Sequence, residues 1–463
     1  MLTYKLDRNS AASLYEQLYR YIKQDIVSGR LACNEKLPSK RMLADHLKLS
    51  VVTVKAAYEQ LIAEGYLFAV EKKGYYVNAV DNPQRSAASH MPVEKVTGKK
   101  YRLDLVSNSI SAEYFPFALW ARTMRRTLLD HEGELLRSAP FNGAEALRNA
   151  IADSLWQFRG MQVDPNNIII GAGTEFLYGL LIQLLGMDCC YAVEDPGYGK
   201  ISRIYESHGV RVVHIPLDEK GLSPVELRRS GAQVVHLSPS HHYPTGTVMP
   251  IGRRQELLRW GEEAKERYIL EDEYDSEFRF VGKPIPTLYS VDEHECVIYL
   301  NTFSKTIAPS IRISYMVLPD GLMKKYRREL SFYSCTVSSF EQYTLAEFMN
   351  AGSYEQHINR MRTRYRKKRD EVISLIESSS LSGRVQIMEQ DAGLHFLMKL
   401  HTELSDDEIK RRAADAGIRI ALLSDYCFDK TKAEEHIFVV NYSGAELNDI
   451  AWGMEKLSEL CFG

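Results

Sequence analysis

One pattern recurs along most of the chain. A short, almost wholly apolar run breaks at a polar or glycine-bearing turn, and an amphipathic stretch follows. "NNIIIGAG" leads into "TEFLYGLLIQLL" and "CCYAVEDPGY" into "GKISRIYESHG"; "VRVVHIPLD", "AQVVHLSPS", "RYILEDEY", "CVIYLNTFS" and "ISYMVLP" continue the series. Runs that are apolar on both faces must be buried on both faces. A mainly parallel sheet between two layers of helices provides that burial. Ligands of such sheets collect at the carboxyl ends of the strands, so the polar residues at those ends are the ones to weigh.

A chain of 463 residues exceeds one ordinary core and is expected to hold two or three domains. Its net charge of -3 hides an asymmetry: residues 1–80 carry twelve Lys/Arg against eight Asp/Glu, and the rest is acidic. A basic head on an acidic body points to an anionic partner for the head. The seven cysteines are scattered without a CxxC pair, which argues against a disulfide framework or a zinc site, and no metal is expected. The N-terminus has no apolar leader and no uninterrupted apolar run approaches a membrane span, so the chain is expected to be cytoplasmic, with no membrane partner.

The head reads as three helices and a hairpin. "SLYEQLYRYIKQDIVSG" places Leu14, Leu18, Tyr21, Ile22 and Ile26 at helical spacing, and "LPSKRMLADHLKLS" gives a shorter helix with Met42, Leu43 and Leu47 inward. "SVVTVKAAYEQLIAEGYL" gives a third, opened by Ser50 and closed by Gly65, burying Val54, Ala57, Leu61 and Ile62 and leaving Thr53, Lys55 and Tyr58 outward. "YLFAVEKKGYYVNAV" reads as two short strands around a basic turn. This is the layout of a winged helix-turn-helix. Thr53 and Lys55 are expected in the major groove of double-stranded DNA, with Ser39, Lys40, Arg41, Lys72 and Lys73 around the backbone phosphates. A small helical module with a solvated basic face is the other reading of the same spacing.

"EKLPSKRMLADHLKLSVVTVKAAYEQLIAEGYL" resembles the GntR-type winged helix domain, over residues 11–79. One departure is that Val51 follows Ser50 where that family commonly has an arginine. Residues 1–80 are therefore expected to form the DNA-binding domain and 81–102, rich in Pro, Ser, Ala and Gly, a flexible linker.

In the body, Gly171 and Gly173 end a strand before a helix that starts at Thr174, a seat for a phosphate. Tyr198 lies in a Pro/Gly turn after another strand, where a ring can stack on a ring. Asp272 and Tyr274 close the run "YILEDEY"; a carboxylate can hold a pyridinium N–H and a phenol two residues on can reach a ring oxygen. Lys305 follows "NTFS", where an amine can condense with an aldehyde. Thr302, Ser304 and Arg312 around it suit a phosphate dianion. Each feature alone also fits an ordinary turn, an acidic surface loop or a surface lysine. Together, in one order at the strand ends of one sheet, they describe a pocket for pyridoxal 5'-phosphate (PLP), with Lys305 as the catalytic residue that carries the aldimine.

"SPSHHYPTG", "EDEYDSEFRF" and "TFSKTIAPSIRISYMVLP" look like the class I/II, fold-type I aminotransferases, from about residue 103 to the end. With the head in front, the whole chain resembles the MocR (GabR-like) regulators of the GntR family. The resemblance implies a multidomain α/β protein. A winged helix-turn-helix precedes a fold-type I PLP-dependent transferase, whose mainly parallel large domain covers about 103–345 and whose small α+β domain covers about 346–463. It also implies a head-to-tail homodimer. Two positions depart from the enzymes. Tyr243 stands before "PTG" where an asparagine often bonds the cofactor ring, and Val439 stands where an arginine usually fixes the substrate carboxylate. Lys200 lies where the GABA-responsive regulators place an arginine. The residues expected to meet a small-molecule effector are Lys200, Arg203, Tyr243 and His242, and Arg203 or Arg419 could replace the missing clamp. The effector is expected to be PLP itself or a small amine or amino acid, with the lost clamp favouring PLP or an amine without an α-carboxylate. The basic run Arg360–Arg369 is expected to be a solvated face of a long helix, a second DNA-contacting patch being the other reading. Two functions stay open: a PLP-dependent transcriptional regulator, and a working aminotransferase with an accessory DNA-binding head. A third reading is a DNA-binding protein whose body holds no cofactor.

Overall fold

In this computed structural model, residues 2–8, 10, 12–79, 100–107, 113–282, 285–391 and 393–462 are described. The chain divides into two compact units, Met1–Gly98 and Lys99–Gly463. Of the expected linker 81–102, all but the last three residues lie outside the described part.

The head is three helices and a three-stranded sheet. Helix α1 (Leu14–Val27) buries Leu18, Ile22 and Ile26, one residue per turn. Helix α2 (Lys40–Leu47) is capped by Ser39, whose hydroxyl accepts from the Met42 amide, and stops at Lys48 in the left-handed region at φ 53°. Helix α3 (Val51–Ala63) is capped by Ser50, which accepts from the Thr53 amide. Such a hydroxyl cap contributes about 1 kcal/mol by pairing an N–H that the helix cannot pair itself. Strands β1 (Lys36–Leu37), β2 (Leu67–Val70) and β3 (Gly74–Val77) form a sheet in the order β1-β3-β2.

Two assignments made from spacing are corrected, Tyr58 expected outward and Met42 expected inward. Tyr58 is fully buried, in phase with Val54, Ala57 and Leu61, and its hydroxyl donates to the Pro38 carbonyl at 3.0 Å. Met42 is 55% exposed, because α2 turns Leu43 and Ala44 to the core instead.

The body starts with β4 (Leu103–Asp104). Its main sheet contains β5 (Ile168–Gly171), β6 (Cys190–Asp195), β7 (Arg211–Asp218), β8 (Gly221–Leu222), β9 (Val234–Leu237), β10 (Tyr268–Glu273), β11 (Val297–Thr302) and β12 (Ser314–Val317), in the order β5-β12-β11-β10-β9-β6-β7-β8. Strands β11, β10, β9, β6 and β7 run parallel; β12 is antiparallel to both its neighbours, and β8 is antiparallel to β7. Alternation along each strand sends one set of side chains to each helical layer. Leu270, Ile298, Leu300 and Met316 pack against Leu177, Leu181 and Leu184 of the helix Thr174–Leu185. Ile269, Val297 and Val235 pack on the opposite side with Leu257 and Trp260.

The C-terminal part holds β13 (Val385–Met388), β14 (His395–Leu400), β15 (Ile418–Arg419) and β16 (Ile437–Asn441). β13, β14 and β16 form an antiparallel sheet, and β15 pairs with β4. The 26-residue helix Ser353–Ser378 carries the basic run. That run is only partly solvated. Arg362 donates to the Glu277 carbonyl, Arg364 lies over Tyr114, buried Lys368 donates to the Ser443 carbonyl at 2.9 Å, and Arg369 reaches the Gln390 carbonyl.

Candidate functional site

Asp272 is buried one residue before the end of β10, on the sheet face covered by the helix Thr174–Leu185. Its Oδ2 accepts from the Tyr178 hydroxyl at 2.5 Å and lies 3.3 Å from His236 Nε2. His236 Nδ1 in turn meets the Tyr205 hydroxyl at 2.7 Å. Burial pushes both tyrosines well above the usual phenol range, so they remain protonated. Asp272 Oδ1 is buried and has no hydrogen-bond partner among the described residues. A buried carboxylate oxygen left this way costs the folded state about 1–3 kcal/mol unless a donor arrives.

Tyr274, two residues on, places its hydroxyl 3.1 Å from His241 Nδ1. The same nitrogen stands 3.0 Å from Asp275 Oδ2. His241, Asp275 and His395 are all buried, and their nitrogen and oxygen atoms lie within 4.8 Å of one another. Lys305 occupies the turn after β11, the parallel neighbour of β10, with Asp272 in register with Leu300. Burial draws its amine below the usual lysine range, and the charge of Asp275 opposes that shift. A lysine so placed holds more of the neutral, nucleophilic form at a given pH than a surface lysine does.

At the start of the helix Thr174–Leu185, Gly173 has φ 95°, and a Cβ there would lie 2.1 Å from Arg312 Nη2. The guanidinium rests against the glycine backbone, beside the free N–H groups of the helix start. Arg312, itself left-handed at φ 49°, also reaches Glu175 at 3.3 Å. A relay of hydroxyls adjoins β11. Ser314 Oγ donates to Thr302 Oγ1 at 2.8 Å, and Thr302 donates to Ser304 Oγ at 3.0 Å. The Ser304 amide also donates to Thr302, so Thr302 is fully engaged inside the protein and the Ser304 proton is the one left to give. Thr302, expected beside a phosphate, thus has its hydroxyl bonded to Ser314 and Ser304.

Tyr198, expected at the cofactor ring, and the expected effector residues divide. Tyr198 is 50% exposed and meets the Tyr243 ring edge-on at 5.8 Å. The Tyr243 hydroxyl bonds that of Tyr426 at 2.8 Å. His242 is buried, bonds Thr245 and stands 3.4 Å from Glu194 Oε2. Lys200 is paired with Glu175, and Arg203 is exposed on the helix Gly199–Ser207. Arg419 pairs with Asp104 at 3.2 Å, on the small sheet of β15 and β4. Val439 is buried with Leu397, Leu423 and Ile437, against Tyr243 and Tyr426. An apolar surface thus stands at the position expected to lack the clamp.

In the head, Lys55 is exposed on α3 and pairs with Glu59 at 3.6 Å. Thr53 is half-buried, its hydroxyl 2.7 Å from that of Ser50. Arg41 and Ser39 are exposed at the start of α2, and Lys40 Nζ lies 5.4 Å from the Tyr75 ring centre. Lys72 and Lys73 are exposed in the turn between β2 and β3.

Residues 102–441 match the family described as aminotransferase class I and II, and residues 14–77 match the bacterial regulatory proteins of the gntR family. The HTH-type transcriptional regulator YdeL of Bacillus subtilis, itself described as uncharacterized, is 37% identical, with 98% of this chain and 97% of that one covered. The probable rhizopine catabolism regulatory protein MocR of Rhizobium meliloti is 29% identical, covering 98% and 94%. The chain belongs to the MocR (GabR-like) subfamily of GntR transcriptional regulators. The pyridoxine biosynthesis transcriptional regulator PdxR of Corynebacterium glutamicum is 28% identical to this MocR-type chain, covering 98% and 97%. Among solved structures, the kynurenine aminotransferase of Pyrococcus horikoshii, in complex with PMP, superposes with a TM-score of 0.67 at 23% identity, covering 79% of this chain and 91% of that one. The body therefore has the fold-type I aminotransferase fold and the head a DNA-binding module. No helix among the described residues is long and apolar enough to cross a membrane.

Sequence reasoning missed Tyr178, His236, His241 and His395 in this MocR-type site. Tyr178 stands one turn into the helix after Gly173, and His236 is the one polar residue in "VVHL". A polar group set into an otherwise apolar run is the signal that could have found the second.

Proposed function

We propose that the body binds PLP and that the state of this site sets how the head engages double-stranded DNA, with PLP or a small amine as the transcriptional signal. The observation that carries the reading is Asp272 Oδ1, a buried carboxylate oxygen with no donor among the described residues, on a carboxylate whose other oxygen is fixed by Tyr178. A protonated ring nitrogen supplies the donor this atom lacks, which is how the residues fit the cofactor. When bound, PLP supplies an electrophilic aldehyde carbon, a ring nitrogen to protonate and a phosphate dianion. Lys305 offers a nucleophilic amine whose proton burial has loosened. Asp272 would hold the ring proton, and the Tyr274 hydroxyl, now beside His241, would serve the ring oxygen. Gly173, Thr174, Ser304 and Arg312 would hold the phosphate, with Thr302 behind Ser304, and Tyr198 would offer its ring to the cofactor's. Tyr243 and His242 line the effector side with Lys200 and Arg203 at its edge. The active form is a head-to-tail homodimer in the cytoplasm.

The same residues keep the aminotransferase alternative alive, since Lys305 would then also move a substrate proton. Val439 speaks against it. A valine among Leu397, Leu423 and Ile437 cannot bind a carboxylate, so this position offers an amino-acid substrate no clamp.

The test uses the full chain. PLP added to it gives a visible absorption band, borohydride fixes a pyridoxyl group on Lys305, and Lys305→Ala gives neither. Affinity for a promoter duplex changes when PLP is added. A colourless, PLP-indifferent wild type refutes the reading, and multiple turnovers of an amino donor with a keto acid establish the alternative.

A further inference from the structure

The first turn of α3 carries apolar side chains in an unusual place. Val52 is 74% exposed and Val51 44% exposed, and neither belongs to the core of the head. Both are β-branched, a type that helix formation alone does not favour, and exposure gives them no burial energy. The outward face of α3 follows the helical spacing Val52, Lys55, Glu59. Lys55 and Glu59 pair with one another, and the hydroxyls of Ser50 and Thr53 bond to each other. What the first turn shows to its surroundings is therefore methyl groups, with one ammonium a turn behind.

The head also says what covers them. It carries exposed cations on three separate pieces, Arg41 on α2, Lys55 on α3 and Lys72 and Lys73 in the β2–β3 turn, and it is a GntR-type module. The N-terminal residues of a recognition helix are those that meet base edges, and the positive end of the helix favours the phosphate-lined groove. In the major groove the C5-methyl of thymine is the one apolar feature among donors and acceptors. We infer that Val51 and Val52 read thymine methyl groups in each operator half-site. The inference rests on the DNA-binding reading of the head and does not need the PLP reading of the body.

The experiment starts from duplexes selected by the full-length chain from a random-sequence pool. Deoxyuridine then replaces thymidine one position at a time, which removes a methyl group and leaves the base pairing unchanged. The expected result is one or two positions per half-site where the wild type binds about four-fold more weakly, the worth of one buried methyl. Val52→Ala or Val51→Ala binds the thymidine duplex as weakly as the wild type binds the deoxyuridine one and no longer distinguishes them. Since both side chains are exposed, their melting temperatures match the wild type. Wild-type binding indifferent to deoxyuridine at every position overturns this inference alone, as does discrimination that survives in the Val51→Ala/Val52→Ala chain. It is equally overturned if these variants change oligomeric mass or melting temperature while duplex discrimination persists, since the methyls then cover a protein surface. Failure to bind any duplex overturns the DNA-binding reading with it.

Discussion

Glu194, at the carboxyl end of β6, and His242 stand 3.4 Å apart and look like an ion pair. Their surroundings say otherwise. Burial pushes the Glu194 carboxyl up to about 8, against one hydrogen bond from the Ser238 amide and with help from the charge of Asp272. Burial draws His242 down to about 3, with His241 adding to the shift. At neutral pH both are mainly uncharged. The folded chain therefore keeps the Glu194 proton between 4.5 and about 8, where the unfolded chain has lost it. Protons bound by the folded state alone make stability fall as pH rises through that window. His242 acts in the opposite direction, losing stability as pH falls from 6.5 towards about 3, so above 6.5 only Glu194 of this pair contributes. Glu194→Gln removes the proton without changing the shape. We expect it to match the wild type in thermal melts near pH 5 and to exceed it near pH 8, by an amount on the order of a few kcal/mol. An equal gap at both pH values contradicts the assignment.

At the strand–turn–helix around Gly173 the sequence fixes one element tightly. At φ 95° any side chain is strained, and a Cβ would strike Arg312 Nη2 at 2.1 Å. Gly173→Ala should lower the melting temperature by the equivalent of about 1–3 kcal/mol and weaken PLP retention at least ten-fold. An unchanged PLP titration would separate Arg312 from the phosphate. On β16, Val439→Arg puts a guanidinium among Leu397, Leu423 and Ile437. It should destabilise the chain by roughly 3 kcal/mol or more and confer no amino-acid turnover, because the arginine has no partner there. At this scale much was legible. The apolar runs became strands, and Asp272, Tyr274 and Lys305 stood out as polar groups at their ends. Tyr58 was misread because its hydroxyl looks polar while its ring keeps the helical phase of the core. Met42 was misread because an eight-residue helix fixes its inward face poorly. Tyr178, His236 and His395 come from elements far apart in the chain, and no local pattern states which side chains will meet. The acidic stretch "EDEYDSEF" could equally be a surface loop in sequence. In the fold Glu271, Asp272, Glu273 and Asp275 are all buried, and Arg159 pairs with Glu273 at 2.9 Å.

Regulation by this molecule requires that one ligand change the free energy of binding the other, and that requirement is reciprocal. If PLP alters operator affinity by some factor, the operator must alter PLP affinity by the same factor, commonly about 5–150-fold in such systems. The two binding reactions can be taken apart by residue. Lys305→Ala, in the body, should remove borohydride trapping and the response to PLP while leaving salt-dependent duplex binding intact. Lys73→Ala, in the exposed β2–β3 turn, should weaken binding to all duplexes alike and lower the slope of log affinity against log salt by about one. It should leave PLP capture on Lys305 unchanged in the absence of DNA. Measured on the wild type, PLP affinity with and without a saturating duplex must then reproduce the factor found for duplex affinity with and without PLP. Two unequal factors would mean that PLP and DNA are not binding at equilibrium to one and the same assembly. Two factors of one would mean that the body holds its cofactor without informing the head. Only an equal factor different from one, lost in Lys305→Ala and kept in Lys73→Ala, ties the amine in the body to the helix in the groove.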